Sequence, residues 1–512
     1  PNGKYLAYGT SASGSDWNEW RVRDIETGKD VKEHLKWIKF SEVAWSSDSK
    51  GFYYSRYDEP KEATKLADIN YFHKLYFHKL GTEQSADVLV YERPDQKEWG
   101  FEAKTTDDGR YLLINISQGT EHKRRVYYKD LRKKNAEIVK LFDQFDAEYE
   151  FIDNQGPIFW FRTDKDAPRG RVVTVDIRQP GKLKEIVPQS EQSLQDAYMV
   201  GRRLLMSYLK DARAQVLQYD LSGKLEREIA LPALGSIKGF KGANKDQESF
   251  YSFANFTTPA TIYRYDVKSG QSTVLRKPKL DFNSSAYETR QVFYTSRDGT
   301  KVPMFISAKK GIALDGSNPT ILYGYGGFNV SLTPTFSSGN AAWMERGGVF
   351  VVANLRGGGE YGNAWHDAGT KLKKQNVFDD FIGAAEWLIA NKYTQPAKLA
   401  ISGGSNGGLL VGAAMTQRPE LFAAALPAVG VLDMLRFHQF TIGWSWVSDY
   451  GSADNADEFK ALYAYSPLHR VKANTCYPAT MIFTGDHDDR VVPAHSFKFA
   501  ATAQAAQGGN QP

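Results

Sequence analysis

Cysteine is almost missing. Cys476 is the one thiol in 512 residues, so neither an internal disulfide nor a multi-cysteine metal site can form. A single thiol is compatible with a reducing compartment and does not define one. An excess of charge of either sign is missing too. Sixty-five Lys and Arg face 60 Asp and Glu, for a formal net charge of +5, a balance that favours no nucleic acid or other polyanion as partner. The short basic runs at 122–125 (His-Lys-Arg-Arg) and 371–374 (Lys-Leu-Lys-Lys) read as solvated faces. No apolar run approaches the ~18–20 residues that a membrane span needs. No initiator methionine or signal peptide stands before Pro1, and residues 505–512 read as a helix end running into a loop. Both ends are therefore expected to be cuts through a longer protein, which leaves cytoplasmic and periplasmic settings open, the cytoplasm being favoured. At this length the chain exceeds one ordinary core, and two or more domains are expected.

The stretch 1–280 is rich in Tyr, Phe, Val, Ile and Thr in short runs with turn residues between them, the pattern of many short strands. A loose repeat runs through it. A strand ending in an Asp-initiated turn recurs at Asp24, Asp130, Asp176, Asp220 and Asp266, with a weaker copy at Lys79. A second element, a polar turn leading into a hydrophobic strand, interleaves with it at 2–8, 47–54 and 107–113. Periods of roughly 40–55 residues with about four strands each indicate propeller blades, six by the markers. An irregular pair of β-sandwiches is the competing architecture.

After residue 280 strand-like runs alternate with helical stretches. Residues 319–323, 348–354, 399–402 and 480–484 read as strands whose near-continuous apolar character suits a buried parallel sheet. Residues 377–391 read as a helix with Asn376 as its N-cap. The expected architecture is a β-propeller over 1–280 followed by an α/β-hydrolase domain over 281–512, with a doubly wound, mostly parallel sheet.

Three stretches of the second half carry chemistry. Gly403-Gly404-Ser405-Asn406-Gly407 fits G-x-S-x-G, in which a serine sits on a sharp strand-to-helix turn and glycines let strand and helix approach. Ordinary glycine-rich loops match it by chance, so its neighbours have to decide. The run 323–329 (Tyr-Gly-Tyr-Gly-Gly-Phe-Asn) follows a strand upstream of Ser405, where this fold supplies an oxyanion donor, and the Tyr325 hydroxyl could serve instead of a backbone amide. The third stretch, 484–493, follows a strand and holds Asp486, Asp488 and Asp489, all of which qualify by spacing as the acid of a Ser-Asp-His triad. A hydrated acidic loop or a cation site is the alternative there. Arg490 beside them would lower a carboxylate pKa or bind a substrate carbonyl. A serine is a weak nucleophile until a base takes its proton. His495 stands only seven residues after Asp488 and is expected to open a helix over 496–506; His487 reads as structural; His438 and His469 precede the acid. The base is expected beyond residue 512.

Together these motifs, with 356–362 (Arg-Gly-Gly-Gly-Glu-Tyr-Gly), 449–451 (Asp-Tyr-Gly) and 11–17 (Ser-Ala-Ser-Gly-Ser-Asp-Trp), resemble the prolyl oligopeptidase family, serine peptidases that join an α/β-hydrolase domain to a seven-bladed propeller. The resemblance runs from the first residue to the last. It implies Ser405 as nucleophile, Asp488 as triad acid, and the Tyr325 hydroxyl and the Asn406 amide as oxyanion donors. It implies that Trp446 stacks on a substrate proline, that Phe328, Val431, Tyr450 and Val491 line the same pocket, and that Arg490 holds the preceding carbonyl. An aromatic pocket with no acidic wall suits a flat apolar ring without an amide proton. The expected function is hydrolysis of short peptides after proline by a monomer that uses no cofactor or metal. With the histidine, the first blade and the N-terminal segment absent, the 512 residues alone are expected to be inactive. An esterase with a different pocket and a non-catalytic propeller scaffold are the rival readings.

Overall fold

The computed structural model describes residues 2–511. Six antiparallel sheets follow one another from Tyr5 to Arg276, the first with three strands and each of the others with four. This is a β-propeller, and its six sheets are the six blades that the repeat predicts. The repeat has a local physical cause. Asp130, Asp176, Asp220 and Asp266 each end the third strand of a blade, and Asp24 ends Asn18–Asp24 of the three-stranded sheet. At each, one carboxylate oxygen accepts a backbone N–H of the turn that follows, from Thr27 (2.9 Å), Arg132 (3.1 Å), Arg178 (3.0 Å), Ser222 (2.8 Å) and Ser269 (2.7 Å). The weaker copy at Lys79 closes its turn differently, with the Thr82 hydroxyl donating to the Lys79 carbonyl at 2.7 Å. The aromatic richness fills the seams between blades: Tyr111 and Phe159, from adjacent sheets, meet edge to face with centroids 5.0 Å apart.

The rest of the chain builds one seven-stranded sheet in the spatial order Tyr287–Thr295, Lys301–Lys309, Val349–Ala353, Thr320–Tyr323, Leu399–Gly404, Ala424–Ala428, Ala479–Thr480. The first two pairings are antiparallel and the remaining four parallel. All five residues of Val349–Ala353 are buried, as a strand covered on both faces must be. This is the sheet of an α/β hydrolase. Two expectations need correction. The strand over 480–484 is regular only at Ala479–Thr480, although Met481 and Phe483 still donate to the Ala425 and Pro427 carbonyls. The helix is Gln375–Ala390 with Lys374 at its N-cap, and Asn376 lies inside it, its side chain donating to the Ala368 carbonyl at 2.9 Å. No helix among the described residues is long and apolar enough to cross a membrane.

Polar contacts join the two halves. Lys39 and Asp489 form a buried ion pair, Arg490 grips Asp16, Thr120 donates through its amide to the Ser445 carbonyl at 3.0 Å, and Asn363 donates to Asp164 at 2.7 Å. Between the halves lies a cavity of about 520 Å³, with walls from both.

Candidate active site

Ser405 stands where Leu399–Gly404 turns into the helix Asn406–Gln417, with φ 58° and ψ −118°. A non-glycine residue held there stores about 1–3 kcal/mol of backbone strain. The Ser405 amide donates to the Ala428 carbonyl at 2.8 Å, which fixes the turn to the next strand. The flanking glycines are forced by space. A Cβ on Gly403 would lie 2.4 Å from the Gly407 carbonyl oxygen, and one on Gly407 would lie 2.7 Å from that of Gly324. The elbow geometry leaves the serine hydroxyl in the cavity and the Asn406 amide, at the start of the helix, without an intrahelical partner.

Tyr325, from the glycine-rich loop after Thr320–Tyr323, lines the same cavity as Ser405. Burial raises its pKa, so at neutral pH it is a donor. The Asn406 side chain ties this loop to the elbow. Its Nδ2 donates to the Tyr325 carbonyl at 2.5 Å, while its Oδ1 accepts from the Tyr450 hydroxyl at 2.9 Å and from Lys374 Nζ at 3.1 Å.

The three aspartates left open by spacing are separated by their partners. Asp486 is exposed and pairs with His487 at 2.9 Å. Asp489 is fully buried and committed to the propeller, accepting from Lys39, from the Ser15 hydroxyl at 3.3 Å and from the Asp16 amide at 2.7 Å. Asp488 is half-buried. Its Oδ1 accepts the amides of Arg490 (3.0 Å) and Val491 (2.9 Å), and its Oδ2 makes no hydrogen bond among the described residues. Burial raises its pKa against the pull of those two amides.

Tyr325, Phe328, Ser405, Val431, Trp446, Tyr450 and Arg490 all line the one cavity. Trp446 lies parallel to Phe437 (6.2 Å), and Phe328 meets Tyr450 edge to face (5.2 Å), so the wall is rigid and aromatic. Val491 does not line it. It is buried in the hydrophobic core of the hydrolase half, one residue from the wall residue Arg490, because the loop turns at that point. The Arg490 guanidinium donates to both Asp16 oxygens, at 2.8 and 2.7 Å, and Asp16 raises its pKa further.

The basic runs also differ from the solvated faces expected of them. Lys374 is buried at the site, and Arg124 lines the cavity from the propeller side. Phe40, Tyr57, His73 and Trp99 add propeller walls. Nothing in the local sequence marks these residues, because only the contact between the halves brings them to Ser405. None of the nine histidines hydrogen-bonds Ser405 or Asp488 among the described residues. His495 accepts the Asp433 amide at 3.0 Å, burial holding its pKa down to about 4, and His366 binds Asp449 at 2.7 Å.

A propeller beside an α/β-hydrolase sheet, with a serine elbow facing a cavity between them, defines a class of serine peptidases. The chain belongs to the prolyl oligopeptidase family. The family's N-terminal β-propeller domain matches residues 1–278, and the prolyl oligopeptidase family model matches residues 334–511. The prolyl endopeptidase of Elizabethkingia meningoseptica is 49% identical over 513 residues, covering 100% of this chain and 72% of the relative. That of Dictyostelium discoideum is 40% identical, covering 99% of this chain and 74% of its own. A chain solved in a study of two prolyl endopeptidases superposes with a TM-score of 0.95 at 43% identity, covering 100% of this chain and 75% of the other. Prolyl oligopeptidase B from Galerina marginata, bound to a 35mer hydrolysis and macrocyclization substrate, superposes at 0.95 with 34% identity, over 100% of this chain and 74% of its own. The protein is a serine-type peptide hydrolase.

Proposed function

We propose that the protein cleaves short peptides on the C-terminal side of proline, through an acyl-enzyme on Ser405. Asp488 orients the base. The Tyr325 hydroxyl and the Asn406 amide take the charge that develops on the carbonyl oxygen. The proline ring lies against Trp446, among Phe328, Val431 and Tyr450, and Arg490 reads the carbonyl before it. The propeller, residues 1–280, covers the hydrolase half, 281–512, and holds folded proteins out; the working unit is a monomer. The observation that carries this reading is the strained elbow at Ser405, opening into an aromatic-walled cavity that also holds Tyr325 and Arg490.

We also infer that the base is none of the nine histidines of this sequence, since none of them hydrogen-bonds Ser405 or Asp488 among the described residues. The 512 residues by themselves are therefore expected to be inactive, and activity is to be sought in the whole gene product.

The test is hydrolysis, by the whole gene product and its Ser405→Ala variant, of matched peptides with proline, lysine or arginine before the scissile bond, and of a simple ester. Cleavage after proline that Ser405→Ala abolishes is expected. Cleavage of the ester alone, or after Lys or Arg, overturns the substrate class. Failure of a serine-directed phosphonate to label Ser405 would make the protein a scaffold.

A further inference from the structure

Lys374 carries a charge where the sequence suggests a wet surface and the structure has none. Its side chain is 1% exposed. Its ammonium donates to the Gly326 carbonyl at 2.8 Å and to Asn406 Oδ1 at 3.1 Å, lies 3.7 Å from Asp449 Oδ2, and sits 5.2 Å from the centre of the Tyr450 ring. Burial lowers its pKa from the usual 10.5, and Asp449 opposes that. Asp449 is itself buried, with Oδ1 accepting the Phe328 amide at 3.1 Å and His366 Nε2 at 2.7 Å.

These contacts converge on the two groups assigned above to the oxyanion. Gly326 follows Tyr325 in the chain. Asn406 supplies the backbone amide, and its side chain holds Lys374 by one end and the Tyr325 carbonyl by the other. The loop and the helix start belong to segments far apart in the chain, with Val349–Ala353 and Gln375–Ala390 between them. Among the described residues, Lys374 is the one side chain besides Asn406 that bonds to both.

We propose that Lys374 is a positioning residue for acyl transfer, its buried ammonium bracing the glycine-rich loop against the elbow helix so that Tyr325 and the Asn406 amide keep the separation the oxyanion requires. This rests on the assignment of Ser405, Tyr325 and Asn406 made above. In the step concerned, the serine oxygen adds to the carbonyl carbon, the serine proton passes to the base, and the π pair of the carbonyl moves onto its oxygen. Donors held in place before that moment need no reorganisation during it. A packing role would not need a charge, because a methionine fills a similar volume without the desolvation cost of an ammonium. Asp449 is the counter-charge, and through the Phe328 amide it links the brace to the aromatic pocket.

The test uses Lys374→Met and the double variant Lys374→Met/Asp449→Asn in the whole gene product, with a proline peptide as substrate and a peptidyl-proline aldehyde as a tetrahedral mimic. The double variant removes both buried charges together and so keeps the fold where the single variant loses it. The expected result is a fall in kcat of about 100-fold, with KM within about threefold of wild type. Aldehyde binding should weaken by a factor similar to kcat, while an unreactive amide of the same sequence binds as before. A folded variant with wild-type kcat, or a loss wholly in KM, overturns the proposal. If Ser405→Ala leaves cleavage intact, the assignment of the nucleophile fails; if Ser405→Ala is dead and the Lys374 variants are fully active, only the brace fails.

Discussion

Lys39 of the propeller and Asp489 of the hydrolase half form an ion pair with both side chains essentially out of solvent, one residue from Asp488. The pair anchors the loop that carries the candidate triad acid to the other half of the molecule. Burial pulls the Lys39 pKa down, and Asp489 opposes it. Removing one partner leaves an uncompensated buried charge, at a cost of about 3–5 kcal/mol. Lys39→Met and Asp489→Asn should each lower the thermal midpoint markedly. The double variant Lys39→Met/Asp489→Asn removes both charges and keeps an acceptor for the Asp16 amide, so it should lose much less than the two single losses added. A double variant that loses the full sum of the two single losses would show that the pair is not coupled.

Tyr325→Phe removes one hydroxyl and little volume. Loss of a single oxyanion donor is worth about 10²–10³ in kcat, and that range is expected here with KM nearly unchanged. Steady-state kinetics on a proline peptide check it.

Gly407→Ala places a methyl group 2.7 Å from the Gly324 carbonyl oxygen, where backbone has to move. The variant should fold and fail to label at Ser405 with a phosphonate, because the elbow opens. Labelling at the wild-type rate would contradict the close approach.

His122 of the propeller contacts Glu121 at 2.9 Å and Asp164 at 3.3 Å, with the His366 ring perpendicular to it at 6.0 Å. Burial opposes its charge, but the two carboxylates outweigh that and raise the pKa from 6.5 to about 9. The folded state therefore binds this proton more tightly than the unfolded state. The stabilisation is fully present below pH 6.5 and is lost as pH rises through about 9. His122→Gln should lower the thermal midpoint at pH 6, and the difference from wild type should shrink above about pH 9. A gap that stays constant with pH would rule out the charged imidazole.

Much of this molecule was legible in its sequence, for reasons that are local. The blades announced themselves because an aspartate that accepts its own turn's amide leaves the same signature at Asp24, Asp130, Asp176, Asp220 and Asp266. The elbow did so because a serine held at positive φ between a strand and a helix needs glycines beside it. The acid could be narrowed by spacing to Asp486, Asp488 and Asp489 but not chosen, because the choice depends on which one Lys39 captures from the far end of the chain. Lys374 departs from its sequence pattern for the same kind of reason. In a run with Lys371 and Lys373 it looks like surface, and only the meeting of loop, helix and Tyr450 buries it. Val491 shows the opposite failure: one position along the loop separates a cavity wall from the core.

Arg490 has two claims on it. Its guanidinium clasps Asp16 across the boundary between the halves, and it also faces the cavity where a peptide would lie. Asp16 occupies Nε and Nη2, which leaves Nη1 for a carbonyl, so filling the cavity and fastening the cleft fall to different nitrogens of one side chain. Whatever factor the clasp changes peptide affinity by, a bound peptide changes the strength of the clasp by the same factor.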